Sequence, residues 1–182
     1  MSQTKGLLFD RPVQGDPVVF DEIVAQHHVH VTALARRLLA WPDDLDDVVQ
    51  EVFLAVLKNL PTFQGRSTLK TWITTITINK CRSYQRKELL KKKLLLLSRR
   101  RHPPAIGLGS DVSLIEQETF EQVRQAVHRL PSRYREVIVL CYLEQMPRRE
   151  VADLLGVSPN VVDVRLNRAR SRLKEHLAGL ME

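Results

Sequence analysis

Residues 61–87 read PTFQGRSTLKTWITTITINKCRSYQRK, and the rest of the chain is organised around them. The stretch opens on breaker-rich residues (Pro61, Thr62, Gln64, Gly65) and then runs without glycine or proline, which predicts a loop feeding a helix with a basic far end. Arg66, Lys70, Lys80, Arg82, Arg86 and Lys87 surround the loop with positive charge, while Phe63, Trp72 and Tyr84 supply rings. A loop with exposed backbone, rings and cations suits single-stranded nucleic acid. The blander alternative puts Phe63 and Trp72 in a core and leaves the charges solvated. For Trp72 alone packing is the commoner fate of one aromatic at helical spacing.

The remaining charge is unevenly spread. The chain of 182 residues carries a net charge of +7, which points towards a polyanionic partner but would equally suit an acidic protein or a membrane surface. Residues 42–51 hold five acids and no base, whereas residues 60–93 hold nine Lys or Arg and one acid, so two partners of opposite sign are expected. With 43% hydrophobic and 27% charged residues the composition is that of a folded protein, not a disordered tail. Cys81 and Cys141 lie far apart without Cys or His neighbours at ligand spacing, which argues for a reduced compartment and against a disulfide or metal framework. No apolar run has the length of a signal peptide or approaches the ~20 residues of a membrane helix, so a cytoplasmic protein without membrane insertion is expected.

Two amphipathic helices precede the loop. Residues 18–40 repeat apolar side chains at helical spacing up to Trp41-Pro42. His27, His28 and His30 lie within this helix at spacings that do not suit metal binding, and satisfied or exposed histidines are expected. Residues 43–60 start with acids, as a helix N-terminus favours, and place Leu45, Val48, Val49, Val52, Phe53, Val56 and Leu57 on one face. The opposite face carries Asp47, Gln50, Glu51 and Leu54, a mixture that either is simply solvated or meets a partner. From Lys91 to Ser113 the pattern breaks into KKK, LLLL and SRRR, followed by Pro103, Pro104, Gly107 and Gly109, which reads as a linker between two domains.

A helix is then expected over residues 114–129 and another over 132–143. Residues 146–177 read MPRREVADLLGVSPNVVDVRLNRARSRLKEHL. Pro147 suits the first turn of a short helix with Val151, Ala152 and Leu155 inside, Gly156 makes a tight turn, and Ser158 caps a second helix with Pro159 at its first position. That helix buries Val162, Leu166, Ala169 and Leu173 and leaves Asn160, Val161, Asp163, Val164, Arg165, Arg168 and further arginines outside. This is a helix-turn-helix whose basic second helix fits a major groove, where an arginine can make two hydrogen bonds to a guanine edge. A helical hairpin with a charged face is the plain alternative. The fold class expected is all-α: two small helical domains joined by a flexible linker, over residues 16–92, 93–113 and 114–178, the last a helix-turn-helix.

Both informative stretches together resemble the sigma factors of bacterial RNA polymerase, in the two-domain extracytoplasmic-function group of the sigma-70 family. DDLDDVVQEVFLAVLKNLPTF looks like the family's polymerase-binding helix, GRSTLKTWITTITINKCRSYQRK like its promoter-melting and minus-ten-reading part, and LPSRYREVIVLCYLEQMPRREVADLLGVSPNVVDVRLNRARSRLKEHL like its minus-thirty-five-reading domain. The resemblance implies a regulator of transcription initiation that is not an enzyme, uses no cofactor or metal, and has core RNA polymerase, promoter DNA and an anti-sigma factor as partners. It implies that Asp47, Gln50, Glu51 and Leu54 face the polymerase. It further implies that Phe63, Gln64, Gly65, Arg66 and Ser67 hold a flipped non-template base, with Lys70, Trp72, Asn79, Arg82, Tyr84 and Arg86 along the melted or duplex DNA. Arg148, Ser158, Asn160, Val161, Asp163, Val164, Arg165 and Arg168 would face the minus-thirty-five element, Arg165 and Arg168 matching arginines of the family's recognition helix. The chain departs from the family at Val161, Asp163 and Val164, where Thr, a basic residue and Ser are frequent, so base preference there differs. Because the sequence stops at Glu182, soon after this helix, no added C-terminal regulatory domain is expected.

Two other classes fit parts of the sequence. A recombinase with a helix-turn-helix tail would need a positioned Ser or Tyr nucleophile and strands alternating with helices, and no strand pattern occurs. A one-component repressor or activator would need neither the acidic helix nor the loop and basic helix beside it.

Overall fold

The computed structural model describes residues 17–39, 44–97 and 114–178. The chain divides between Leu89 and Leu90 into two units. The first holds α1 (Pro17–Leu39), α2 (Leu45–Asn59), a 3-10 turn at Leu60–Thr62, and most of α3 (Leu69–Leu97). The second holds α4 (Leu114–Arg129), α5 (Ser132–Ile138) continued by a π turn at Val139–Leu143, α6 (Arg148–Leu155) and α7 (Pro159–Ala178). All elements among the described residues are helical, as the apolar spacing predicts.

In the first unit α1 packs along α2. Val31, Leu34, Ala35 and Leu38 of α1 meet a core shared with Val48, Val49, Val52, Phe53 and Val56 of α2 and with Ile73 and Ile78 of α3. Leu57, expected on that core face, is exposed, because it lies at the edge of the stripe where the helix turns outward. Side chains tie α3 across this pair: His30 Nε2 lies 3.1 Å from Thr74 Oγ1, and Gln85 Nε2 donates to the Leu38 carbonyl at 3.0 Å, where α1 ends. The threonines of α3 lower its intrinsic helix preference, and their hydroxyls turn back onto the helix. Thr75 Oγ1 donates to the Thr71 carbonyl at 3.0 Å and the buried Thr77 Oγ1 to that of Ile73 at 2.9 Å, so the hydroxyls enter the core satisfied. The helix starts at Thr68, whose Oγ1 accepts the Thr71 N–H at 3.1 Å.

The expected linker begins later than residues 91–93 suggest. Lys91–Lys93 and Leu94–Leu97 are the last two turns of α3, because seven strong helix formers without glycine or proline simply prolong it. The Pro- and Gly-bearing remainder, 98–113, lies outside the described residues.

The histidines of α1 are accounted for by packing. His28 stacks on Phe53 with ring centroids 6.0 Å apart. His27 is buried, and its pKa falls below the ordinary 6.5, first through desolvation and then through the nearby charges of His30 and Lys70. No group of side chains among the described residues is arranged to hold a metal ion.

In the second unit α4, α5 and α6 all pack on α7, whose Val162, Leu166 and Ala169 face Leu130, Val137, Leu140, Val151 and Ala152. Arg135 is a charged residue whose burial no local pattern signals. It is buried, and its guanidinium donates to the carbonyls of Val127 at 3.3 Å, Leu130 at 2.9 Å and His128. These carbonyls lie where α4 ends and intrahelical donors run out, the Val127 carbonyl also accepting the Leu130 N–H at 3.2 Å, and a cation there complements the negative end of the helix dipole. Pro147 precedes α6 at the cap position, one residue before the first-turn place expected for it.

Two predictions follow from the buried polar groups. The unfolded chain takes up a proton at His27 more readily than the folded one, so stability should fall as pH drops below about 6.5 and rise again as it is raised. Denaturant midpoints measured from about pH 7.5 to 5.5 should show a shallower acid-side loss in His27→Gln than in the wild type. Arg135→Ala removes the donor shared by the Val127, His128 and Leu130 carbonyls and should destabilise the second unit by about 3 kcal/mol. Hydrogen exchange should then quicken in α4, α5 and α7 and stay unchanged in α1 and α2.

Candidate nucleic-acid interface

The loop between α2 and α3 is held at both ends and open in the middle. Thr62 Oγ1 donates to the Asn59 carbonyl at 2.7 Å and the Phe63 N–H to that of Leu60 at 3.1 Å, which fixes the 3-10 turn that Pro61 starts. The ring of Phe63 lies against that of Trp72, centroids 5.0 Å apart and planes tilted by 41°, so both rings are half-buried in one contact. Gly65 then takes φ +67°, a left-handed conformation that a side chain would strain. Gln64, Arg66 and Ser67 are exposed around it, with Lys70 on the first turn of the helix.

Helical phase sorts the polar residues of α3 into two stripes. Lys80, Tyr84 and Lys87 face the acidic helix: Glu51 accepts from Lys80 at 3.3 Å and pairs with Lys87 at 3.8 Å, and the Tyr84 hydroxyl lies 3.4 Å from Asp44 Oδ2. Asn79, Arg82 and Arg86, spaced three and four apart, form the neighbouring stripe, with Asn79 and Arg86 exposed and Arg82 half-buried. The sequence placed Tyr84 with the latter group, whereas the structure turns it to the α2 side. On α2 itself Asp47, Gln50, Glu51 and Leu54 are all exposed, and Leu54 is 63% exposed, far more than an apolar residue needed for the core.

In the second unit the turn between α6 and α7 is set by Gly156, at φ 66° and ψ 39°. The Val157 N–H donates to the Ala152 carbonyl at 3.0 Å and that of Gly156 to Asp153 at 3.2 Å, the pattern that ends a helix on a left-handed residue. Ser158 Oγ accepts the Val161 N–H at 3.4 Å, a long cap bond. With Val162, Leu166 and Ala169 buried, the opposite side of α7 presents Asn160, Val161, Val164 and Arg168 to solvent, with Arg165 half-buried beside them.

The arginines around α7 are not equivalent. Arg148, at the start of α6, pairs with Asp163 at 2.9 Å. Tyr134 sits among guanidinium groups: the hydrogen bond from Arg168 lowers its phenol pKa, and Arg133 and Arg172 lie 4.8 Å and 5.3 Å from its ring. Arg170 donates to the Tyr142 hydroxyl. Spacing alone carries no signal for the Arg148–Asp163 pair or for the contact of Arg168 with Tyr134, since each joins separate helices. Neither thiol is primed for chemistry, since Cys81 is buried and burial raises the pKa of Cys141.

Two family models match the chain, in order: sigma-70 region 2 over residues 23–89 and sigma-70 region 4 over residues 120–173. The chain is 31% identical over 169 residues to RNA polymerase sigma factor NccH of Alcaligenes xylosoxydans xylosoxydans, covering 90% of this chain and 89% of that one. It is 25% identical to the ECF RNA polymerase sigma factor SigW of Bacillus subtilis, covering 92% and 93%. Its structure is similar to that of the sigma factor RpoE solved with the anti-sigma factor NepR from Bartonella quintana, with a TM-score of 0.70, 25% identity, and coverage of 87% and 96%. With the first unit carrying the loop and basic helix and the second the helix-turn-helix, the chain belongs to the sigma-70 family of RNA polymerase sigma factors, in its extracytoplasmic-function group.

Proposed function

We propose that this protein binds core RNA polymerase through the exposed face of α2 and directs promoter-specific initiation, with the α2–α3 loop and α3 engaging melted minus-ten DNA and α7 reading the upstream element. The observation that carries the division of labour is the pairing, in one chain, of an open loop beside a basic helix with a capped helix-turn-helix. The loop's Gln64, Arg66 and Ser67 surround a glycine that opens the backbone, which suits a base that has left the stack. A recognition helix with Arg165 beside its exposed side suits duplex DNA. The protein acts in the cytoplasm, where its polymerase is, and no described helix is long and apolar enough to cross a membrane. An anti-sigma factor is a further expected partner, by analogy with the RpoE relative solved with NepR. The protein serves as a specificity subunit and carries out no catalytic step of its own.

Run-off transcription with purified core polymerase and the host's own DNA tests this reading, together with a gel shift of the free protein. Specific transcripts with core polymerase, and no specific shift without it, are expected; a one-component repressor would bind its site unaided. Gln50 and Glu51 lie off the core face, so reversing charge at Glu51 and placing Lys at Gln50 should alter stability by only about 0.5 kcal/mol. Such a double variant should stay helical and fail to co-purify with core polymerase, and undiminished co-purification would refute the assignment of α2.

The Arg148–Asp163 pair gives a second prediction. Asp163 places a negative charge beside the groove-facing helix and holds a cation that could otherwise reach a phosphate. Asp163→Asn should tighten binding to non-specific duplex at low salt and steepen the log–log salt slope by about 1, the release of one further counterion. An unchanged slope would mean that Arg148 does not reach the backbone.

A further inference from the structure

The exposed side of α7 carries two apolar residues among its polar ones. Val161 and Val164 are 37% and 41% exposed and stand three residues apart, hence on one face, with Arg168 four residues beyond on the same stripe. Two of their polar neighbours, Arg168 and Asp163, are engaged elsewhere, while Arg165, four residues after Val161, lies half-buried beside them. Arg168 donates to the Tyr134 hydroxyl, and the carboxylate of Asp163 is held by Arg148 at 2.9 Å. Each valine has one strongly preferred rotamer in a helix, so the two pairs of methyl groups are held in place before any DNA arrives.

We propose that Val161 and Val164 read thymine C5-methyl groups in the major groove, which makes the upstream element of this protein thymine-dependent at two neighbouring positions. This rests on the reading of α7 as the upstream-element helix. Along the major-groove edges of the four bases, the thymine methyl is the one bulky apolar group, beside donors, acceptors and the small C–H groups of cytosine C5 and purine C8. A valine pressed onto another base gains less apolar contact and strips water from nearby polar groups without replacing their hydrogen bonds, so the valine pair selects by attraction to one base and by penalty against the rest. Three residues of helix rise ~4.5 Å and successive base pairs are ~3.4 Å apart, so the two methyl groups belong to adjacent or next-but-one base pairs. Asp163 acts as a positioning residue: it keeps Arg148 at the flank of α7 and its own charge away from the bases.

The test uses the full chain assembled with core polymerase on a promoter recovered by transcription-start mapping. Each thymine of the upstream element is replaced in turn by deoxyuridine, which removes the methyl group and leaves every hydrogen-bonding edge intact. Two of these replacements, at adjacent or next-but-one base pairs, should each weaken promoter binding about fourfold, the effect of withdrawing one buried carbon group. Val161→Ser should abolish the sensitivity at one of these positions and Val164→Ser at the other. Where a sensitive thymine is first changed to cytosine, 5-methylcytosine should recover part of the loss in the wild type and none in the matching serine variant. An upstream element without thymine, indifference of the wild type to deoxyuridine at every position, or serine variants as sensitive as the wild type would each overturn the proposal. If specific transcription persists through such a result, the function proposed above stands and only the role of the valines falls; if the wild type shows no upstream-element dependence at all, both fall together.

Discussion

Each helix here can bury only one stripe, and the stripe it buries decides what is left for partners. The clearest case is α7, whose Val162, Leu166 and Ala169 lie against α4, α5 and α6. Fixing that side inward leaves the other side, from Asn160 to Arg168, as the surface we propose meets DNA. A shift of one residue in the stripe would rotate the helix by about 100° and point a different set of side chains at the groove. The turn before it has the same consequence in small: Gly156 in a left-handed conformation ends α6 and sets the direction in which α7 departs.

The first unit uses the same constraint with opposite charges. Burying Val48, Val49, Val52, Phe53 and Val56 turns Asp47, Gln50, Glu51 and Leu54 outward on α2, and burying Ile73 and Ile78 turns the basic residues of α3 outward beside them. The two surfaces meet where Glu51 pairs with Lys80 and Lys87. Exposed pairs of this kind contribute at most about 1 kcal/mol, so they set local orientation without holding the unit together, and a partner can break them at little cost. The acidic face of α2 and the basic face of α3 are thus neighbours on one small scaffold.

Arg135 shows how a polar residue can be structural in a unit whose other described arginines lie at or near the surface. In composition it is one more cation in the run Arg133–Tyr134–Arg135. In the fold its neighbour Arg133 lies over the Tyr134 ring at the surface, while Arg135 enters the interior and closes the carbonyls at the end of α4. Helical phase separates the two roles, since residues two apart on a helix point to nearly opposite sides.

Local physics was enough for much of this protein. Apolar spacing set the bounds of α1, α2, α4 and α7 to within a few residues, and Gly156, Ser158 and Pro159 marked the helix-turn-helix, because helices and their ends depend on neighbours a few positions away. The acidic face of α2 and the open loop were also legible, since charge and breakers need no tertiary contact to be recognised. Local pattern misled at residues 91–97, where low complexity looked like a linker and strong helix propensity prolonged α3 instead. What only the tertiary structure decided is which charged and aromatic side chains are already engaged: Glu51 with Lys80, Tyr84 near Asp44, Phe63 against Trp72, Arg148 with Asp163, Arg168 with Tyr134. Three of these contacts join different helices, and the other two join a helix to the loop residue Phe63 and to Asp44, which caps α2. Their geometry is set by the packing of buried stripes, and no periodicity along the chain encodes it.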